Sequence, residues 1–169
     1  MGRFVPPSRR TRARVETPGV REKFLLFRVG DEIYGMALRG LREVLLSDGV
    51  ALLPASPSQI CVALAHRGHR LPVIRMRALF EGAQAGMPAA ARVLLTEGQG
   101  RPLGLLVDEV LEMVEVDPAH IAPVPALATL LDPACFRGLF TRKDRVILLV
   151  NEHGLGGADE VLQFNAAGT

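Results

Sequence analysis

Tryptophan is absent from this 169-residue chain, and tyrosine occurs once, so aromatic residues make up only 5% of the composition. The aromatic platforms on which many proteins stack single-stranded nucleic acid are therefore missing. Cysteine occurs only at Cys61 and Cys135, with neither a CxxC pair nor the Cys/His spacing of a zinc finger. This scarcity argues against a disulfide scaffold and against a structural zinc site.

Long apolar runs are also missing. The longest runs, such as residues 146–150, have the length of a strand, far short of the roughly 18 residues that a transmembrane helix needs. The N-terminal segment is rich in arginine and has no apolar core of the kind found in signal peptides. We therefore expect a soluble, cytoplasmic protein.

Signatures of catalysis are equally scarce, since the chain has no GxSxG motif, no P-loop and no GxGxxG motif. His66 and His69 have a spacing that could supply two metal ligands, but arginines flank them and would repel a cation. Neither cysteine lies in a pattern that activates a thiolate. We expect no catalytic residue, no metal and no cofactor, and hence no enzyme.

The net charge of +2 is the sum of unlike segments. Residues 1–22 contain six arginines and two glutamates, and three prolines, which predicts a disordered basic arm over residues 1–21. Residues 66–77 contain four arginines and no acid, whereas residues 108–117 contain five acids and no base. These two segments are either ordinary solvated faces or two surfaces that steer different partners.

Short strands dominate the pattern of the remaining chain. Hairpins are predicted over residues 24–36, 60–74 and 92–107, with further strands at 114–116 and 145–150, and a helical turn leading into a strand over 38–46. Prolines at 54 and 57 predict a loop, and residues 79–88 a connector. Helical signals are confined to residues 58–62, 108–113 and 126–131, although residues 103–116 combine helical with strand features. An all-β barrel or sandwich is favoured.

Binding of nucleic acid is the alternative that this fold class leaves open. The basic arm and the basic hairpin tip could contact phosphates. The lack of aromatic residues and the net charge of −2 that remains outside residues 1–22 argue against it.

Four segments, taken in order, resemble the CheW-like chemotaxis coupling family over most of residues 23–152. They are FLLFRVGDEIYGM (24–36), LREVLLSDGVALLPASPSQICVALAHRGHRLPVIRMRALF (41–80), RVLLTEGQGRPLGLLVDEVLEMVEVDPAHIAPVP (92–125) and FRGLFTRKDRVILLV (136–150). The resemblance implies two intertwined, five-stranded SH3-like β-barrels with a few short helices and a hydrophobic seam between the barrels. It places the CheW-like domain at residues 22–154, followed by a tail or short helix over 155–169.

The resemblance also implies a function. Members of the family are non-enzymatic adaptors that join the cytoplasmic signalling tips of chemoreceptors to a CheA-type histidine kinase, so we expect recruitment to receptor arrays. Arg67 and Gly68 match the Arg-Gly of the family's Asn-Leu-Arg-Gly turn, whose arginine is associated with partner binding. Leu41, Glu43 and Val44 match the segment that lines the receptor-facing groove, although plain core packing would explain Leu41 and Val44 equally well.

Three residues depart from the family pattern. Ala65 and His66 stand where the turn has asparagine and leucine, and Arg75 replaces the aspartate of the family's Pro-Val-x-Asp-Leu-Arg segment. Exchanging a carboxylate for a guanidinium reverses the local field, which puts the usual kinase or receptor contact in doubt. We therefore hypothesise a divergent adaptor that binds receptor but couples weakly to the kinase, as in accessory proteins of Frz-type chemosensory systems.

Overall fold

The computed structural model describes residues 20–51, 60–81, 88–125 and 132–167, and these ranges contain eleven strands. In chain order the strands are β1 (Glu22–Val29), β2 (Glu32–Ala37), β3 (Glu43–Leu46), β4 (Val50–Ala51), β5 (Cys61–His66), β6 (His69–Arg75), β7 (Arg92–Gly98), β8 (Arg101–Val107), β9 (Glu109–Val116), β10 (Phe136–Arg142) and β11 (Arg145–Val150). The α-helices are α1 (Met76–Glu81), α2 (Glu152–Gly156) and α3 (Asp159–Ala167). Single 3-10 turns lie at Leu38–Gly40, Ser47–Gly49, Pro118–His120 and Pro133–Cys135.

The strands form two sheets. Sheet A has the order β9-β1-β2-β11-β10, and sheet B has the order β3-β7-β8-β6-β5-β4. One pair in each sheet is parallel, β2 with β11 and β6 with β8, and the other pairs are antiparallel. The outer strands of sheet B, β3 and β4, are joined by only the turn Ser47–Gly49, so this sheet must curl back on itself.

The two sheets are nested along the chain. Every strand of sheet B comes from residues 43–107, between the second and third strands of sheet A in chain order. The prediction of an all-β fold with two curled, intertwined sheets is confirmed, although sheet B gains the two-residue β4 as a sixth strand.

Alternation along each strand divides the core into three clusters, because successive side chains point to opposite faces of a sheet. In β1, Phe24 and Leu26 face the interior of sheet A, whereas Leu25, Phe27 and Val29 face sheet B. Strands of sheet B divide in the same way between their own interior and the face toward sheet A. The cluster between the sheets is called the seam here, and it includes Leu25, Phe27, Val29, Ile74, Leu94 and Leu105.

The segment 155–169, expected as a tail or short helix, holds the end of α2 and all of α3. Leu155 and Val161 are both buried in the seam. The helix α2 approaches the β7–β8 hairpin so closely that a Cβ on Gly98 would lie 2.8 Å from the Cα of Gly156. Packing, rather than chain connectivity alone, therefore attaches this segment to the two sheets.

Local predictions succeed and fail for identifiable reasons. The turn-then-strand prediction over 38–46 and the three hairpins are confirmed. The helix predicted over 108–113 is wrong, because β9 carries an irregularity in its pairing with β1 between Val110 and Met113. This irregularity buries Val110 partly and Val114 fully but exposes the residues between them, which imitates the four-residue spacing of a helix.

The helix predicted over 58–62 is wrong for its described part, since β5 begins at Cys61 and is buried on both faces over its first four residues. The connector predicted over 79–88 begins inside α1, which ends at Glu81. The basic arm up to residue 19, the loop at Pro54 and Pro57, and the helical signal over 126–131 lie outside the described residues.

Candidate functional site

The tip of the β5–β6 hairpin presents Arg67 to solvent. Arg67 and Gly68 form the two-residue turn, with φ angles of 51° and 80°. Both angles are left-handed, as required by the tight turns that suit the twist of a hairpin. A Cβ on Gly68 would meet no atom within 4 Å, so it is the backbone conformation, not space, that favours glycine there. The Arg67 side chain is 74% exposed.

Glu43 of β3 lies under this tip. Its carboxylate receives a hydrogen bond from Arg67 Nη2 at 3.5 Å, and its Oε1 lies 3.6 Å from His66 Nε2. His66 Nε2 is buried and donates or accepts no hydrogen bond within the described part of the chain. Because Arg67 is mostly exposed and its contact with Glu43 is long for a hydrogen bond, the pair contributes little stability.

The outward face of β3, which alternates with Glu43 along the strand, is apolar. Val44 and Leu46 are 44% and 61% exposed, whereas Leu45 packs against the interior of sheet B. Leu41, just before the strand, is half-buried and packs against the seam. Core packing therefore describes Leu41, but not Val44. The structure brings Arg67 and Gly68 next to Glu43, whereas Val44 and Leu46 are exposed on the alternate face of the same strand. We refer to these five residues together as the tip surface (Glu43, Val44, Leu46, Arg67 and Gly68).

Arg75 lies away from the tip surface, at the opposite end of β6. The six residue steps of β6 span roughly 20 Å at the usual strand rise. The Arg75 side chain is half-buried, and its backbone N–H donates to the Ile60 carbonyl at 2.7 Å. Arg67 and Arg75 therefore belong to different parts of the surface.

The charge pattern assigned Asp108 to an acidic surface segment, but the structure buries this residue. Its Oδ2 accepts a hydrogen bond from the Gly30 N–H at 2.8 Å and an ion pair from Arg77 Nη2 at 2.9 Å. Arg28 Nη1 lies 3.8 Å from the same oxygen. Asp108 thus joins the β1–β2 turn to α1. The signal available in the sequence was its position directly after the apolar run 103–107.

The acidic segment 108–117 is not a free electrostatic surface. Besides Asp108, Glu109 pairs with Arg28 at 3.3 Å and Glu112 with Arg142 at 3.4 Å. Within the basic segment 66–77, Arg67 and Arg77 are paired with acids as described above. Much of the charge segregation along the sequence is therefore neutralised by folding, and this favours the interpretation of both segments as ordinary solvated faces over that of two steering surfaces.

The described ranges contain no group of three or more His, Cys, Asp and Glu side chains that could hold a metal ion. Burial raises the pKa of the Cys61 thiol to about 11 and raises that of Cys135, so both thiols stay protonated at neutral pH. Among the same residues, no helix combines the length and apolar character that crossing a membrane requires.

Comparison with known proteins agrees with the fold. A model of the CheW-like domain matches residues 23–159. The chain is 30% identical to Chemotaxis protein CheW of Rhizobium meliloti over 135 residues, which cover 79% of this chain and 86% of that protein. It is 30% identical to Protein FrzA of Myxococcus xanthus over 104 residues, covering 62% and 65%.

A solved structure extends the agreement to three dimensions. The scaffolding protein TtCheW from Thermoanaerobacter tengcongensis matches with a TM-score of 0.75 and 26% identity, covering 83% of this chain and 90% of that one. The predicted double-barrel fold is confirmed by this likeness together with the two curled sheets. The chain therefore belongs to the CheW-like family.

Proposed function

We propose that this chain is a non-enzymatic adaptor of a bacterial chemosensory array, which binds chemoreceptor signalling tips and links them to a CheA-type histidine kinase. Membership of the CheW-like family supports the class of function. The observation that carries the receptor-binding part is the tip surface, where an exposed guanidinium at the hairpin tip contacts Glu43 of β3, the strand that also exposes Val44 and Leu46.

The tip surface suits a helical partner. Val44 and Leu46 lie two residues apart on one strand and offer an apolar strip on which a helix can lay its apolar face. Arg67, which is mostly exposed, can donate charge-assisted hydrogen bonds to a carboxylate of that partner. The apolar strip supplies affinity, and the guanidinium supplies orientation.

Replacing Arg67 by glutamate tests this assignment. In a pull-down with a purified receptor signalling fragment, we expect Arg67→Glu to abolish binding while the melting temperature stays nearly unchanged, because the residue is exposed. Arg101→Glu is the matched control, since Arg101 is an exposed arginine that follows the tip of the β7–β8 hairpin. Wild-type binding by Arg67→Glu, or equal loss in both variants, would refute the role of Arg67.

We further propose that kinase coupling is weak because of Arg75. Arg75→Asp, which restores the family's carboxylate, should increase binding of the kinase regulatory domain and stimulation of kinase activity in the presence of receptor. Arg70→Asp makes the same charge change at the other end of β6 and should not. If the wild-type chain binds both partners strongly and stimulates the kinase fully, the accessory form of the function is wrong.

A further inference from the structure

A second surface lies beside the start of β1. A cavity of about 400 Å³ opens there next to the 3-10 turn Leu38–Gly40. Among the described residues, its lining combines three cationic side chains with one carboxylate and one leucine. We call it the cationic groove, and it is formed by Arg21, Glu22, Lys23, Leu38 and Arg39.

The carboxylate of this groove is already engaged. Arg137 of β10 binds Glu22 with both Nη atoms, with its Nη1 2.6 Å from Oε2, and Arg39 Nη1 donates to the same Oε2. Arg137 is also fixed by the Phe24 ring, whose centroid lies 5.3 Å from the guanidinium carbon. The bond from Arg137 holds the pKa of Glu22 below its usual value. One negative charge is thus shared between two guanidinium groups.

Positive charge is left over at the mouth of the groove. Arg39 is 71% exposed and adds a single donor to a carboxylate that Arg137 binds with two. Arg21 and Lys23 form no ion pair with any described residue, although Glu115 lies opposite Lys23 in the strand register. An anionic partner could therefore pair with Arg21 and Arg39 without first breaking the bond between Arg137 and Glu22.

The floor of the groove is apolar. Leu38 is half-buried and packs against the seam, so its outer side offers hydrocarbon next to the cations. We propose that the cationic groove binds an acidic segment of a partner protein, with one apolar side chain on Leu38 and carboxylates on Arg21 and Arg39. The chain's own N-terminal segment is a poor occupant because residues 1–19 contain five arginines and one glutamate.

The lining of this groove includes no residue of the tip surface, so the inference extends the proposed function instead of restating it. A test uses the full chain and a fluorescein-labelled peptide of repeated Glu-Glu-Leu-Glu units, followed by fluorescence anisotropy at low salt. We expect Arg39→Glu to weaken binding at least about tenfold, and added salt to weaken it further. Arg101→Glu, an equal charge change at an exposed site elsewhere, should leave the affinity nearly unchanged.

Three results would overturn the proposal. The first is no binding of the peptide by the wild-type chain at low salt. The second is equal weakening by Arg39→Glu and Arg101→Glu, which would reduce the effect to net charge. The third is equal binding of a peptide with serine in place of leucine, which would show an adventitious anion contact without use of Leu38. Arg67→Glu should bind the acidic peptide normally, so failure here is distinguishable from failure of the proposed function.

Discussion

Removing the carboxylate of Asp108 tests how the two sheets are held together. Its side chain is 7% exposed and accepts both the Gly30 N–H and an Arg77 guanidinium. Asp108→Ala leaves that N–H buried beside the new methyl group. It also leaves Arg77, whose side chain is 28% exposed, without its carboxylate.

The magnitude follows from these contacts. Loss of a buried hydrogen bond to a charged acceptor costs about 2 kcal/mol. The Arg77 pair adds about 1 kcal/mol, less than the loss of a fully buried pair, because the guanidinium can still reach water. Arg28 contributes little, since it also donates to the Gly30 carbonyl at 2.9 Å and pairs with Glu109. We expect Asp108→Ala to lower the free energy of unfolding by about 3 kcal/mol.

Urea unfolding followed by circular dichroism measures this loss. Asp108→Asn keeps an oxygen that can accept the Gly30 N–H, so it should lose only about 1 kcal/mol. Asp31→Asn, at an exposed position of the same turn, should change stability by less than about 0.5 kcal/mol. Equal stability of Asp108→Ala and Asp31→Asn would refute the buried-carboxylate argument. Equal losses in the alanine and asparagine variants would show that the charge, not the hydrogen bond, carries the effect.

Two other predictions concern single side chains. His66→Leu removes a buried nitrogen that has no hydrogen bond, so it should raise the free energy of unfolding by about 1 kcal/mol, measured by thermal melting near pH 8. The control is His69→Leu, at the exposed residue that faces His66 across the hairpin, and it should change this free energy little. A destabilised His66→Leu would contradict this reasoning. The lowered pKa of Glu22 means that its stabilisation is present above the carboxyl's ordinary pKa and is lost as the pH falls through the folded value. The melting temperature of Glu22→Gln should therefore lie below that of wild type at neutral pH and approach it in acid. The melting temperature of Glu32→Gln, changed at an exposed site, should show no such pH dependence relative to wild type. A difference between Glu22→Gln and wild type that persists in acid would show that Glu22 acts through packing.

Short-range structure could be predicted from the residues because turn chemistry is local. The β7–β8 turn has Gln99 and Gly100 at φ angles of 59° and 75°, and its glycine marks it in the sequence. The β10–β11 turn reaches the same conformation with Lys143 and Asp144 and no glycine. The residue pattern therefore predicted only the second strand of this hairpin, over residues 145–150.

Long-range pairing could not be predicted from the residues alone. The parallel contact of β2 with β11 joins Tyr34 to Leu148 across more than half of the chain, and nothing in either strand encodes its partner. The candidate site shows the same limit. Turn chemistry and the family motif indicated that Arg67 is exposed, but the contact with Glu43 depends on the curling of sheet B, which brings β3 under the hairpin tip.

Arg67 lies in the turn before β6 and Arg75 lies at the end of β6, and this separation bears on how the binding properties of such an adaptor could change in evolution. Around Arg67, the turn has an arginine and a glycine with left-handed φ angles, and the carboxylate of Glu43 lies 3.5 Å from the guanidinium. Arg75 lies at the far end of β6, whose six residue steps span roughly 20 Å, beyond the Debye length of about 8 Å at physiological salt. A charge change at Arg75 should therefore leave the field at the tip surface almost unaltered. If the proposed function is correct, receptor binding and kinase coupling should change independently, and the comparison of Arg67→Glu with Arg75→Asp measures this independence.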